Sequence, residues 1–226
     1  MYLIKHDSLY IILNLLMYSI SLCCFIIGLA QHKKHKELSH LYIYALASFI
    51  QNTIGEILIK RKIFAFYFTA KFGILAMHVF LLIEFACIYY FFFKTEIISG
   101  TARKMLFLLL ICFLCFYIRE ILAPNFFRQV GDFYFLDSCF ILIPCFVYLI
   151  QLFAKPPTLN LLNEPSFWFN SGILIFFTLT LPVFFMINYF RSDSMLAAID
   201  MINFIGYSII FLFLIRAYLC KPKIAI

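Results

Sequence analysis

The chain has 226 residues, of which 65% are apolar, 20% are aromatic and only 13% are charged. Soluble domains are roughly half apolar and a quarter charged, so no soluble fold would bury this much apolar surface. The net charge of +7 comes from short basic clusters between apolar stretches. Such clusters suit anionic lipid headgroups better than nucleic acid, which excludes nucleic-acid binding and makes the lipid bilayer the first expected partner.

Seven apolar stretches are long enough to cross a membrane as α-helices, which takes about 20 residues for roughly 30 Å of hydrocarbon. We therefore predict an all-α fold, a polytopic transmembrane bundle of about seven helices in a single domain over residues 1–226. The predicted spans are 9–30, 41–59, 72–93, 105–122, 133–153, 167–190 and 195–220. Polar residues interrupt the second span and close the fourth, which leaves a count of five or six helices open.

The first stretch follows Lys5 as the apolar core of a signal peptide would, but it is too long for one, and we expect it to be retained as a helix. The connections between the stretches are short, which leaves no room for a soluble domain. Basic residues favour cytoplasmic connections. With the N-terminus outside, the cytoplasmic side holds ten of the 18 Lys and Arg residues, which favours that orientation, with the C-terminus in the cytoplasm.

Polar residues in the predicted spans are concentrated at one side of the membrane. Because successive helices alternate in direction, the starts of odd-numbered helices and the ends of even-numbered ones lie together, at what we call the N-terminal side. The residues that map there are Glu56, Arg119, Glu120, Asp137, Asn188 and Asp200. We predict a polar vestibule open to this side and closed at the other, the C-terminal side, by apolar packing. For Arg119, Glu120 and Asp137 we expect ordinary hydrogen bonds to neighbouring helices, or snorkelling.

Two ionisable residues lie deeper in the predicted spans and are stronger candidates for function. An ionisable side chain deep in hydrocarbon costs about 2.5–3.5 kcal/mol and normally faces protein or trapped water. Glu84 lies near the middle of the third span. His78 precedes it by six residues, which puts the two side chains about 120° apart on the helix, poorly placed to bind one metal ion together. Helix 7 and helix 2 each have further polar residues along one face. The candidate ligand-binding residues are Asn52, Glu56, His78, Glu84, Asp200, Asn203 and Tyr207.

Motifs for intramembrane hydrolysis, prenyl-diphosphate metals or retinal attachment are absent from the sequence. We therefore predict no catalytic residues, no metal and no cofactor. Pro144 and Pro182 lie deep in their spans, where each should kink its helix and leave a carbonyl in need of another partner. Trp168 at the start of helix 6 is typical of an interfacial anchor, and Gly172 would let a neighbouring helix approach closely.

Three stretches resemble an uncharacterised family of small bacterial seven-helix integral membrane proteins. They are Asn163-Glu-Pro-Ser-Phe-Trp-Phe-Asn-Ser-Gly-Ile-Leu-Ile-Phe-Phe177, Asp200-Met-Ile-Asn-Phe-Ile-Gly-Tyr207 and Leu82-Ile-Glu-Phe85. The family tends to have further tryptophans in helix 7, whereas Trp168 is the only one here. Its members are often associated with two-component sensor kinases. The resemblance thus implies the bacterial inner (cytoplasmic) membrane and a possible sensor-kinase partner.

Two functions are consistent with these features. The first is a sensory or accessory protein that binds a small ligand, lipid or partner helices through the vestibule and performs no catalysis. The alternative is a membrane enzyme or transporter acting on a lipid or isoprenoid-like substrate, with Glu84 as a proton donor.

Overall fold

A computed structural model describes residues 2–61, 66–122, 130–156, 160–186 and 193–220 of the chain, with the side chains of some residues near the N-terminal side left out of the description. Seven α-helices make up nearly all of this part, and a short 3-10 helix, Leu161–Asn163, precedes the sixth. Their bounds are α1 Tyr2–Gln31, α2 Leu41–Arg61, α3 Phe66–Lys94, α4 Gly100–Ile121, α5 Val130–Ala154, α6 Pro165–Met186 and α7 Asp193–Tyr218. The predicted all-α bundle of seven helices is confirmed.

Six of the seven helices are long and apolar enough to cross a membrane. Inside hydrocarbon a helix satisfies its own backbone hydrogen bonds, so a long apolar stretch has no comparable alternative there. The helix that is not among the six is α2, whose sequence is interrupted by Gln51, Asn52 and Glu56. The helices also extend past the predicted spans. For example, α3 begins at Phe66, whereas the predicted span begins at residue 72.

Six helices form a closed ring in the order α1, α2, α3, α5, α6, α7, with α7 packed against α1. The fourth helix lies outside this ring, against α5 and α3, and most of its apolar side chains are exposed. Contacts such as Phe25 with Tyr42 and Trp168 with Phe213 show that sequential neighbours run antiparallel. The odd-numbered helices therefore do begin on one common side.

Aromatic side chains fill the interior of the ring. The largest fully buried ones are Tyr44, Tyr89, Tyr148, Tyr218, Phe85, Phe91, Phe92, Phe169, Phe176, Phe177 and Phe211. Phe85 stacks on Phe113 of α4 with a centroid separation of 3.7 Å, and such ring pairs each add about 0.5–1.5 kcal/mol to the area they bury. The outer helix is thus attached through aromatic contacts with α3.

Pro144 and Pro182 both lie inside helices, and Pro144 and Gly172 each shape a contact between helices. Pro144 has no N–H for the carbonyl of Phe140, four residues earlier. That carbonyl instead accepts a hydrogen bond of 3.0 Å from the Tyr89 hydroxyl of α3. A Cβ added to Gly172 would lie 2.7 Å from the Cβ of Phe213. Helices α6 and α7 therefore meet at a distance that only glycine permits.

Candidate ligand-binding centre

The middle of the ring holds a buried carboxyl group, Glu84 of α3. This residue is 1% exposed and lies near the middle of the apolar stretch of its helix, Leu75–Lys94. Its Oε1 accepts a hydrogen bond of 2.7 Å from the hydroxyl of Tyr44, in the first turn of α2. Glu84 is therefore buried deep among the helices, and Tyr44 provides a specific donor that the sequence does not predict.

A second buried carboxyl group, Asp137, lies two turns into α5 and is 2% exposed. Neither of its two oxygens has a hydrogen-bond partner among the described residues. It interacts electrostatically with Glu84, and both acids interact with Tyr134 and Tyr207. We expected Asp137 to hydrogen-bond a neighbouring helix or to snorkel. Among the described residues it has no hydrogen-bond partner, and its side chain is buried, so both expectations are wrong for this part of the chain.

We call Tyr44, Glu84, Tyr134, Asp137 and Tyr207 the polar centre. Aromatic rings surround it: Tyr207 is 4.6 Å from Phe176 and 6.1 Å from Phe80, centroid to centroid. Two carboxylates in such low-dielectric surroundings repel each other strongly. The centre therefore favours a proton, a cation or a hydrogen-bond donor placed between or beside them.

The remaining candidates on α2 and α7 lie toward the N-terminal side. Asn52 donates to the Ser48 carbonyl at 2.7 Å, so its side chain is engaged within its own helix. Glu56 lies in α2 and Asp200 in α7, but their side chains are outside the described part of the structure. Asn188 lies outside the described residues altogether. Asn203 is half-buried, and its Oδ1 has no hydrogen-bond partner among the described residues.

His78 lies apart from the polar centre, in contact with aromatic rings. It is 2% exposed, and its ring packs edge-on against Phe133 at 4.7 Å. The hydroxyl of Tyr117 donates to the His78 backbone carbonyl at 3.2 Å. These contacts are those of a packing residue. Arg119, by contrast, is exposed, which agrees with the expected snorkelling.

The C-terminal side is closed by polar groups rather than by apolar packing alone. Glu164, the residue before α6, is fully buried, and its Oε1 accepts from the Ser166 hydroxyl at 2.8 Å. Ser166 in turn accepts from Tyr148 at 2.9 Å. A carboxylate is favourable at this position, since the N-terminus of a helix carries partial positive charge. The sequence analysis did not single out Glu164, although the Asn-Glu-Pro sequence there is a recognisable helix-start signal.

The connection between α1 and α2 completes this closure. Its Leu38 is fully buried, and the Leu38 carbonyl accepts a hydrogen bond of 3.0 Å from Tyr218 at the end of α7. His35 and His40 of the same connection also turn inward, and burial lowers the pKa of each, for His40 to about 4. Both imidazoles are therefore neutral at pH 7.

Trp168 is held at the C-terminal side near the start of α6. Its Nε1 donates to the Leu162 carbonyl at 2.7 Å, and the guanidinium of Arg216 lies 5.3 Å from the centre of its ring. An indole with one polar edge bonded and a cation on its face fits the headgroup region. The expected role as an anchor therefore agrees with these contacts.

No family model matches the chain, and the comparisons with curated proteins and with solved structures give no match. The fold alone defines the class: a helical, multi-pass integral membrane protein, with six helices able to cross the bilayer.

Proposed function

We propose that this membrane protein is a sensory or accessory protein that binds a small ligand at the polar centre. The ligand would bring a cationic or hydrogen-bond-donating group to Asp137. The single observation that carries this proposal is the Asp137 carboxyl group, which is buried and has no hydrogen-bond partner among the described residues. An unsatisfied buried acceptor costs about 1–3 kcal/mol, and more when it is charged, and a bound donor would offset that cost.

The ligand would enter from the N-terminal side. Asp137 is seven residues from the start of α5, which is about 10 Å along the helix, whereas the hydrogen-bonded cluster around Glu164 closes the other end. In the orientation favoured by the basic residues, the N-terminal side faces the exterior of a bacterial cytoplasmic membrane. A small external ligand and a sensor-kinase partner in the same membrane would be consistent with that orientation and with the family resemblance.

Binding can be tested with the purified protein in lipid nanodiscs, using primary amines and quaternary ammonium ions as probes. A ligand at 100 times its Kd stabilises the folded protein by about 2.7 kcal/mol, which thermal unfolding would detect. We expect Asp137→Asn to abolish this stabilisation. The matched control is Glu164→Gln, which changes a buried carboxyl group on the C-terminal side and should leave the stabilisation intact.

Two results would argue against binding. One is that no probe stabilises the wild-type protein. The other is that Asp137→Asn raises the intrinsic stability while the response to the probes stays the same, since Asp137 would then be a packing residue only.

The second candidate is a transporter or enzyme for a lipid or isoprenoid-like substrate in which the polar centre passes a proton. The observation that favours it is the pair of interacting carboxyl groups, Glu84 and Asp137, at different depths in the ring. In proteoliposomes this function would give pH-dependent flux or turnover that Glu84→Gln abolishes. A binding protein would show neither activity and would still respond to the probes.

A further inference from the structure

A groove lies outside the ring, between the end of α3 and the start of α4. Its volume is about 440 Å³, and it is lined by Phe93, Gly100, Arg103, Lys104 and Phe107. The apolar stretch of α3 ends at Lys94 and that of α4 begins at Gly100. The groove therefore lies at the level of the membrane–water interface on the C-terminal side.

The groove itself is lined almost entirely by apolar atoms, and two basic side chains lie at its edge. Arg103 and Lys104 are both exposed in the first turns of α4. Arg103 donates from Nη2 to the carbonyls of Thr95 and Ile98, at 3.2 and 3.3 Å. These bonds hold the guanidinium at the groove, and its other N–H donors remain for a ligand. None of the residues that line the groove is acidic.

The start of α4 adds to this positive potential and leaves room for a group to bind. The N-terminus of a helix carries partial positive charge. At α4 the N–H groups of Ala102 and Arg103 donate to the hydroxyl and the carbonyl of Ser99, so the contribution to binding is the charge of the helix end. A Cβ added to Gly100 would meet no atom within 4 Å, so the space in front of the helix start is open. An anionic group at this edge of the groove would lie near the two basic residues.

The rest of the groove is apolar and leads onto the lipid-facing surface. The rings of Phe93 and Phe107 lie edge to face at 6.5 Å. Beyond them along α4, Leu108 and Ile111 are exposed at 62% and 42%. A ligand here would therefore have an anionic head at the interface and a hydrocarbon tail along α4, which is the chemistry of an anionic phospholipid.

We propose that this groove is a binding site for one anionic phospholipid of the surrounding bilayer. Arg103 and Lys104 bind its phosphate, and Phe93 and Phe107 contact the start of its acyl chains. The site is independent of the polar centre and does not rest on the proposed function.

The test measures lipid preference around the purified protein in nanodiscs made with mixtures of phosphatidylglycerol and phosphatidylcholine. Lipids that remain bound are counted by native mass spectrometry as the phosphatidylglycerol fraction is varied. Arg103 and Lys104 would each donate a charge-assisted hydrogen bond to the phosphate of the bound lipid. Because Arg103→Gln/Lys104→Gln removes both bonds, we expect it to weaken the preference for phosphatidylglycerol by at least about tenfold.

The matched control is Lys33→Gln/Lys34→Gln, which removes the same charge from two exposed lysines on the same side of the protein, outside the groove. We expect this pair to change the preference by less than about twofold. An equal loss in both double variants would show general surface attraction and overturn the proposal, as would no loss in the first. Unchanged thermal unfolding of both variants confirms that they fold.

Discussion

Tyr89 makes the hydrogen bond that compensates for a proline in the neighbouring helix, and replacing it by phenylalanine should be unusually costly. The hydroxyl of Tyr89 is the donor for the Phe140 carbonyl, which Pro144 leaves without its partner within the helix. Tyr89→Phe keeps the ring stacked on Phe85 at 4.2 Å and removes only the donor. Hydrogen bonds between membrane helices average about 0.6 kcal/mol, but a buried acceptor left unsatisfied costs about 1–3 kcal/mol. We expect a loss of about 1–2 kcal/mol in the free energy of unfolding.

The assay is unfolding by SDS in mixed micelles, applied as a double-mutant cycle with Pro144→Ala. Alanine restores the N–H to α5, so in that background Tyr89→Phe should cost no more than about 0.6 kcal/mol. The matched control is Tyr117→Phe, which removes a similar bond of 3.2 Å to the His78 carbonyl, in a helix that has no proline at residue 82. Its cost should be small and the same in both backgrounds. If Tyr89→Phe costs the same with Pro144 and with alanine, the reasoning about the proline is refuted.

Two further predictions concern packing and pH. Gly172→Ala should destabilise the protein by about 1–3 kcal/mol in the same assay, because its Cβ would lie 2.7 Å from a Cβ of α7. Gly100→Ala, where a Cβ meets no atom within 4 Å, should cause no loss, and equal effects would contradict the close helix contact. Burial lowers the pKa of His40 to about 4, so between pH 6.5 and 4 the unfolded chain takes up a proton that the folded chain does not. His40 should therefore lower the free energy of unfolding across this range by roughly 2–3 kcal/mol more in the wild type than in a His40→Gln variant. Burial also lowers the pKa of His35, but that residue is present in both proteins, so equal falls in the two would refute the role of His40.

The sequence predicts the helices well because a long apolar stretch in hydrocarbon has essentially one conformation available. It predicts their ends less well, since a helix continues into the interface, where polar residues are tolerated. Thus α4 begins at Gly100 and not at residue 105. It does not predict which helices touch. The spans are apolar around most of their circumference, so no narrow stripe indicates that α4 would lie outside the ring while α3 meets α5.

The same limit applies to the polar centre. The depth of Glu84 follows from counting residues along a span, but its donor does not, because the chain has 14 tyrosines and the choice among them depends on helix order and rotation. Tyr44 is the donor because α2 packs against α3 and places its hydroxyl beside Glu84. The sequence predicts a hydrogen bond or snorkelling for Asp137 because it lies near a helix end, where neighbouring groups or water are usually within reach. Its burial results from the arrangement of the helices in the ring, which the sequence does not specify.

The described part of the chain buries three carboxyl groups, and they differ in whether the fold provides a hydrogen-bond donor. Glu164 accepts from Ser166 and Glu84 accepts from Tyr44, so each has a donor built into the fold. Asp137 has none among the described residues, although many hydroxyl-bearing side chains would fit a helix bundle and could satisfy it. Two of the buried acids have donors and the third has none, so the folded state is destabilised at the third position. That cost is recovered when a ligand or a proton supplies the donor, which is why Asp137, rather than the deeper Glu84, is the residue on which the proposed binding function should first be tested.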